Sequence, residues 1–334
     1  MRNYGNILVI QTAFTGDAVL GTSVLETLHA QFPQARISYL VRKGNESLFT
    51  GHPYLYGTAV WDKSGAKLRN LLRMARTLRR NRYDLVVNLQ RFASSGFLAA
   101  YSGAGDIRGF DKNPLSFLFH KKLPHSLTDG RHETERNFGL VKDIAPVYKG
   151  PRLYPTPAQA EKVKRTKPYI CLAPASVWHT KQWPAAHWAE LIELLGGETD
   201  ILLTGGKGDA ALCDEINRQS GGRAENVAGK YSLLESAALV AGAEVTVSND
   251  SAPVHLASAM NAPVIEIYCS TVPAFGFYPL SDRMQVIETG EPLACRPCGL
   301  HGRKACPLGH FRCGTEITPE RVASAVRTFY TTAG

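Results

Sequence analysis

Strand-length apolar runs without polar alternation recur along this chain, separated by helical stretches. From the start they read "ILVIQ", "AVLGTSVLETLHAQF", "RISYLV", "TAVW", a long helical segment and "DLVVNL". A strand that is apolar on both faces must be covered on both, and a parallel sheet between two layers of helices does this. The first half therefore predicts a doubly wound α/β domain. The pattern breaks over residues 146–168, "PVYKGPRLYPTPAQAEKVKRTKP", whose prolines and charges read as a linker with a short polar helix. It then restarts as "YICLAPA", the helix "PAAHWAELIELLG", "DILLTGG", a helix from about Asp209, "NVAG", the helix "SLLESAALVAG", "EVTVSND", a helix carrying His255, and "PVIEIY". Ser232 and Glu235 form a capping box, and Thr318 with Pro319 opens an amphipathic closing helix.

A chain of 334 residues suits two cores better than one. The expected division is a first Rossmann-like domain over 1–155, a second over 156–315, and a terminal helix over 316–334. Open parallel sheets bind ligands beyond the carboxyl ends of their strands, so the chemistry is expected there, between the domains.

The net charge of +9 calls for an anionic partner: nucleic acid, a membrane surface or a phosphorylated substrate. No helix-turn-helix, RNP or zinc-finger pattern accompanies it, which argues against nucleic acid. No signal-peptide pattern and no window near the ~18 apolar residues of a membrane span are present, so a cytoplasmic location is expected. Seven cysteines, an odd number, read as reduced thiols. Four of them, Cys295, Cys298, Cys306 and Cys313, share one segment with His301 and His310. Their C-x2-C start resembles a small zinc site, but the second pair is spaced too widely for the commonest ribbon, and no metal is assigned.

Four strand-to-helix turns carry candidate chemistry, three of them in the second half. Asp250 and Ser251 precede the helix with His255, where backbone N–H groups and the helix dipole favour an anion. Alone, either residue would read as a helix cap. Ser176 and Lys181 lie in the loop "ASVWHTKQWP", where a lone lysine would read as a solvated charge. Gly205, Gly206 and Asp209 form a weaker third turn. Asp17, in the first such loop, reads equally as a cap or as a base. The helix "KLRNLLRMARTLRR" sets Leu68, Leu71, Leu72, Ala75 and Leu78 on one face and Arg69, Arg73, Arg76 and Arg80 on another. It is either a solvated face over a core stripe or a basic surface for anionic lipid, extended by Lys121, Lys122, Arg131 and His132.

Taken together, the small-residue loop with Gly16 and Asp17, the Lys181-x-Trp183-Pro184 run and the Asp250-Ser251-Ala252-Pro253-Val254-His255 run resemble the ADP-heptose:lipopolysaccharide heptosyltransferases, glycosyltransferase family 9. The resemblance spans nearly the whole chain. It implies a GT-B fold and inverting transfer of heptose from ADP-heptose to the lipopolysaccharide inner core, Kdo-lipid A or a heptosylated core, with no cofactor. It implies Asp17 as the general base, Lys181 and Ser176 on the donor diphosphate, and Asp250 on the donor sugar. Ser251 and His255 would help to hold the pyrophosphate, and Asp209 would stand where the family carries a glutamate to the ribose. Ala252 replaces the usual glycine and needs a negative φ. No D-x-D pair lies near, so Lys181, His255 and the helix dipole are expected to serve in place of a metal. Partners would be the nucleotide sugar, an anionic glycolipid acceptor bound in part by Arg69, Arg73, Arg76 and Arg80, and the inner face of the inner membrane. The alternatives are a related transferase with another donor, a sugar-nucleotide epimerase on the same fold, and a non-catalytic nucleic-acid-binding or scaffold protein.

Overall fold

The unalternating runs become parallel strands. In the first unit of the chain, Met1–Tyr154, they are β1 (Asn6–Gln11), β2 (Arg36–Arg42), β3 (Leu55–Trp61), β4 (Leu85–Asn88), β5 (Asp106–Phe110) and β6 (Lys121–Leu123). The helices here are α1 (Thr15–Leu20), α2 (Thr22–Gln31), α3 (Lys67–Arg80), α4 (Ala93–Tyr101) and α5 (Glu133–Gly139). The sheet order is β3-β2-β1-β4-β5-β6, with every neighbouring pair parallel. The computed structural model describes residues 3–330 of the chain.

The second unit, Pro155–Gly334, begins with α6 (Pro157–Val163). Its strands are β7 (Tyr169–Ala173), β8 (Asp200–Leu203), β9 (Glu225–Asn226), β10 (Thr246–Asn249), β11 (Val264–Tyr268) and β12 (Met284–Glu288). Its other helices are α7 (Ala185–Leu195), α8 (Ala210–Gln219), α9 (Leu233–Ala241), α10 (Ala252–Met260), α11 (Arg312–Thr315) and α12 (Pro319–Tyr330). The order β12-β11-β10-β7-β8-β9, all parallel, repeats the topology of the first sheet. In each sheet the strand order reverses at one place, between β1 and β4 and between β7 and β10. Loops leaving the carboxyl ends there diverge and open a crevice, the usual ligand site of such sheets.

Several elements differ from their sequence expectation for local reasons. The stretch "AVLGTSVLETLHAQF" is two helices, α1 and α2, parted at Gly21. The Tyr39 hydroxyl donates to Ala18 O (2.9 Å) and occupies the space that a Cβ at Gly21 would need. In α3 only Ala75 and Leu78 are buried, whereas Leu68 and Leu72 stand exposed, so the apolar stripe is wider than the buried face. Short β5, β6 and β12 carry too few apolar residues to announce themselves, and β9 ends at Asn226, ahead of the turn at 227–229. The closing helix α12 buries Val322, Ala323, Val326 and Phe329 in the same core as Trp188 and Ile192 of α7.

One buried amide aligns the second crevice. Asn249, the last residue of β10 and fully buried, accepts from Trp183 N (2.9 Å) and donates through Nδ2 to Pro174 O (2.7 Å). It thereby ties the β7–α7 loop to the end of β10. Asn249→Leu would leave an N–H and a carbonyl buried without partners, each costing roughly 1–3 kcal/mol. Chemical denaturation should show a loss on the order of 3 kcal/mol; a change under about 0.5 kcal/mol would contradict this role for the amide.

Candidate active site

The first crevice holds Asp17. It lies in the first turn of α1, whose N-cap position is taken by Phe14 without a side-chain hydrogen bond, so Asp17 is not the cap residue. Burial of the carboxyl pushes its pKa up to about 6, helped by the negative charge of Glu133; Arg91 and the N–H groups of Phe14 and Asp17 pull the other way. Such a carboxylate is charged at neutral pH yet basic enough to take a proton from a hydroxyl.

Around it stands a polar network that sequence reasoning missed. Glu133 opens α5 and is buried; its Oε2 lies 3.1 Å from His125 Nε2 and accepts from Arg136 Nη1 (3.0 Å). Arg136, also buried, donates to Asp129 (3.2 Å). The segment "HSLTDGRHETER" looks like an ordinary polar loop, and only the crowding of His, Asp, Glu and Arg within it hints at a buried network. His132 is buried as the N-cap of α5, accepting from Thr134 N (3.2 Å), and so does not extend a basic surface. Lys121 pairs with Asp143 and Arg131 with Asp129 (both 2.6 Å). Arg69, Arg73, Arg76 and Arg80 are exposed along α3 and enter no ion pair among the described residues.

The second crevice gathers Lys181 and Asp250. Lys181 Nζ lies 2.6 Å from Asp250 Oδ2, and Thr271 Oγ1 donates to the same oxygen (2.6 Å). Ser176 lies in the same loop as Lys181, its carbonyl accepting from Gln182 Nε2 (2.6 Å). Ser251 holds the N-cap position of α10 but makes no side-chain cap; its hydroxyl turns to that of Ser248 (3.3 Å). His255 is buried in α10. Outside glycine, positive φ occurs among the described residues at Arg82, Asn261 and Phe311, so Ala252 satisfies the negative-φ condition. Asp209 does not reach this group: Oδ2 accepts from Gly206 N (2.7 Å) and closes its own turn.

The cysteine-rich segment braces Lys181. Arg303 N donates to Thr180 Oγ1 (2.8 Å), Thr180 N donates to Arg303 O (3.0 Å), and Ser270 Oγ donates to Thr180 Oγ1 (3.0 Å). Gly302, at φ +78°, sits where a Cβ would come within 3.0 Å of Lys181 Cγ. Cys295, Cys298, Cys306 and Cys313 are free thiols, and no cluster of three or more potential metal ligands occurs among the described residues. The N–H of Phe311 and then those of Leu308, Gly309 and His310 lower the Cys306 pKa, whereas burial raises that of Cys313 to about 11.

Beneath the Lys181–Asp250 pair lies Glu266, which sequence reasoning passed over inside an apolar strand. It sits in β11 between Ser248 of β10 and Val286 of β12, is fully buried, and neither oxygen has a well-formed hydrogen bond. Desolvation, then the charge of Asp250, raises its pKa well above the ordinary range, against the field of Lys181 and the Tyr268 phenol. An open depression lined by Arg165, Lys167, Asp200 and Arg223 lies at the opposite, amino ends of β7 and β8. The convergence of charged groups at the carboxyl ends, where these sheets bind ligands, marks that edge as the site.

Two sheets of this topology, each with charged groups at its switch point, make the architecture of the GT-B class. The model of glycosyltransferase family 9 (heptosyltransferase) matches residues 71–305, and the chain belongs to that family. It is 26% identical to lipopolysaccharide heptosyltransferase 1 of Pseudomonas aeruginosa, covering 95% of this chain and 96% of that protein. It is 28% identical to lipooligosaccharide heptosyltransferase 2 of Haemophilus influenzae, covering 94% and 96%. The structure of E. coli ADP-heptose lipopolysaccharide heptosyltransferase II superposes with a TM-score of 0.81 at 23% identity, over 98% of this chain and 99% of that one.

Glu266 makes a prediction about stability. Its folded pKa lies above the ordinary glutamate value of 4.5, so the wild-type chain loses stability relative to a non-titrating isostere as pH rises above that value. Glu266→Gln should match wild type near pH 4 and exceed it increasingly toward pH 8 in thermal melts. A variant less stable than wild type at pH 8 would mean that Glu266 is ionised and paired.

Proposed function

We propose that this glycosyltransferase transfers heptose from ADP-heptose to the lipopolysaccharide inner core with inversion and without a metal, acting at the inner face of the inner membrane. The observation that carries the reading is the pairing of chemistries at the two switch points. One has a desolvated carboxylate tuned to about 6, and the other has a lysine held on an aspartate at the start of α10. Inverting displacement needs a base on the acceptor hydroxyl and positive charge on the departing diphosphate.

In this mechanism Asp17 takes the proton of the acceptor hydroxyl as its oxygen attacks the anomeric carbon. Lys181, with Ser176, Ser251, His255 and the N-terminus of α10, stabilises the charge that develops on the diphosphate. Asp250 receives the sugar hydroxyls, and Ala252, at negative φ, stands where the family's glycine lets the backbone approach the phosphates. Asp209 serves the nucleotide side through its turn. The heptose donor and lipopolysaccharide acceptor follow from family membership and the names of the full-length relatives. The unpaired Arg69, Arg73, Arg76 and Arg80 suit an anionic glycolipid surface, where a basic residue contributes about 1 kcal/mol. No described helix is long and apolar enough to cross a membrane.

Thermal shift against ADP, GDP, UDP and CDP tests the donor. ADP alone should stabilise the protein, by about 2.7 kcal/mol at a hundred times its dissociation constant, and Lys181→Ala should abolish the shift. Selective stabilisation by another nucleotide would change the donor, and none by any would remove the assignment. With ADP-heptose and Kdo-lipid A, kcat/KM should rise with pH through about 6 as Asp17 ionises. Asp17→Asn should lower kcat by roughly 100- to 10,000-fold, and retained activity would exclude Asp17 as the base.

A further inference from the structure

Arg91 follows β4 at the same switch point as Asp17. The loops are tied, because Gln90, its neighbour, donates its amide to Gln11 Oε1 at the end of β1. Arg91 is half-buried and enters no ion pair among the described residues, whereas the buried Arg108 and Arg136 each hold two carboxylates. Its polar contact is with a histidine: Nη1 lies 3.5 Å from His125 Nδ1. A guanidinium can face that nitrogen only while it carries a lone pair, which puts the ring proton on Nε2, toward Glu133 Oε2 at 3.1 Å. Glu133 is held by Arg136 and Arg136 by Asp129, so the buried network sets the orientation of His125 and with it the direction of Arg91.

A guanidinium left without a carboxylate, beside the base and aimed by a buried network, presents a planar fork to an incoming anion. We propose that Arg91 binds a carboxylate or phosphate of the acceptor next to the hydroxyl that Asp17 deprotonates, with His125 and Glu133 as its positioning residues. This rests on the glycosyltransferase reading of Asp17 and adds the acceptor group recognised there. Arg91 has a second effect, on the base itself. The groups acting on Asp17 are Glu133 from α5, Arg91 from the loop after β4 and Tyr39 from β2, and Lys63 donates to Thr12 O (2.6 Å) in the loop between β1 and α1. Arg91 is the cation among them that favours the ionised carboxylate, so its removal raises the pH at which Asp17 becomes active.

Steady-state kinetics of wild type, Arg91→Gln, Arg91→Lys and Glu133→Gln test the proposal with three acceptors: intact, with its carboxylates reduced to alcohols, and dephosphorylated. Arg91→Gln should raise the acceptor KM at least ~10-fold, as expected for a lost charged hydrogen bond, and leave the donor KM within about twofold. It should also move the acid limb of kcat/KM upward by roughly half to one pH unit, and Arg91→Lys should restore part of both effects. Glu133→Gln should raise the acceptor KM but lower the acid limb, because it removes a negative charge that holds Asp17 up. The modified acceptor that wild type handles poorly, and on which Arg91→Gln makes no further difference, identifies the anion as carboxylate or phosphate. Equal sensitivity to Arg91→Gln on all three acceptors, or wild-type acceptor KM and acid limb in Arg91→Gln, would overturn the proposal. A wild-type protein that transfers no sugar would overturn the function proposed above and this inference with it.

Discussion

Each charged group proposed to do chemistry here hangs from, or leans on, a strand whose two faces are committed to apolar cover. Parallel strands buried on both sides leave only their ends to face water, and the connections force all carboxyl ends to one edge. At the switch points the loops after β1 and β4, and after β7 and β10, part in opposite directions. Asp17 and Arg91 occupy the first such place, and Lys181 and Asp250 the second. The rest of each sheet serves to hold these loops still: the Gln11–Gln90 side-chain bond does so in one unit and Asn249 in the other.

Desolvation then divides the labour among like groups. Asp17, Asp250 and Glu266 are all carboxyls near the ends or middles of buried strands, yet they are set to different tasks. Asp250 is bonded to Lys181 and to the Thr271 hydroxyl. Burial lifts the Asp17 carboxyl to about 6, with Glu133 adding to the rise and Arg91 opposing it. Glu266 is fully buried without a cation of its own, and desolvation raises its pKa well above the ordinary range.

The cysteine-rich segment illustrates how a loop without regular structure can still be part of the site. Its backbone hydrogen bonds to Thr180, and the left-handed Gly302, at which a side chain would crowd Lys181, make it a brace for that lysine. The spacing of its cysteines suggested zinc chemistry; the contact that matters is one between backbone and a threonine hydroxyl. Such contacts carry no residue signature, because any residue can supply an N–H or a carbonyl.

The sequence by itself determined the two doubly wound sheets, because unalternating strands and amphipathic helices admit few other arrangements. It also determined the family and the run of motifs holding Asp17, Lys181 and the Asp250 turn, where residue type is dictated by chemistry at fixed offsets along the chain. Short edge strands such as β6 and β12 were not legible, since half-exposed residues need no apolar pattern. Tertiary structure alone decided what depends on distance across the chain. It sent Asp209 to its own turn, buried His132 as a cap and exposed Leu68 and Leu72. It also brought Arg91 to a network that begins thirty-four residues later at His125. Periodicity reports which face of an element is covered, but the field at a carboxyl is set by groups that only folding brings near it.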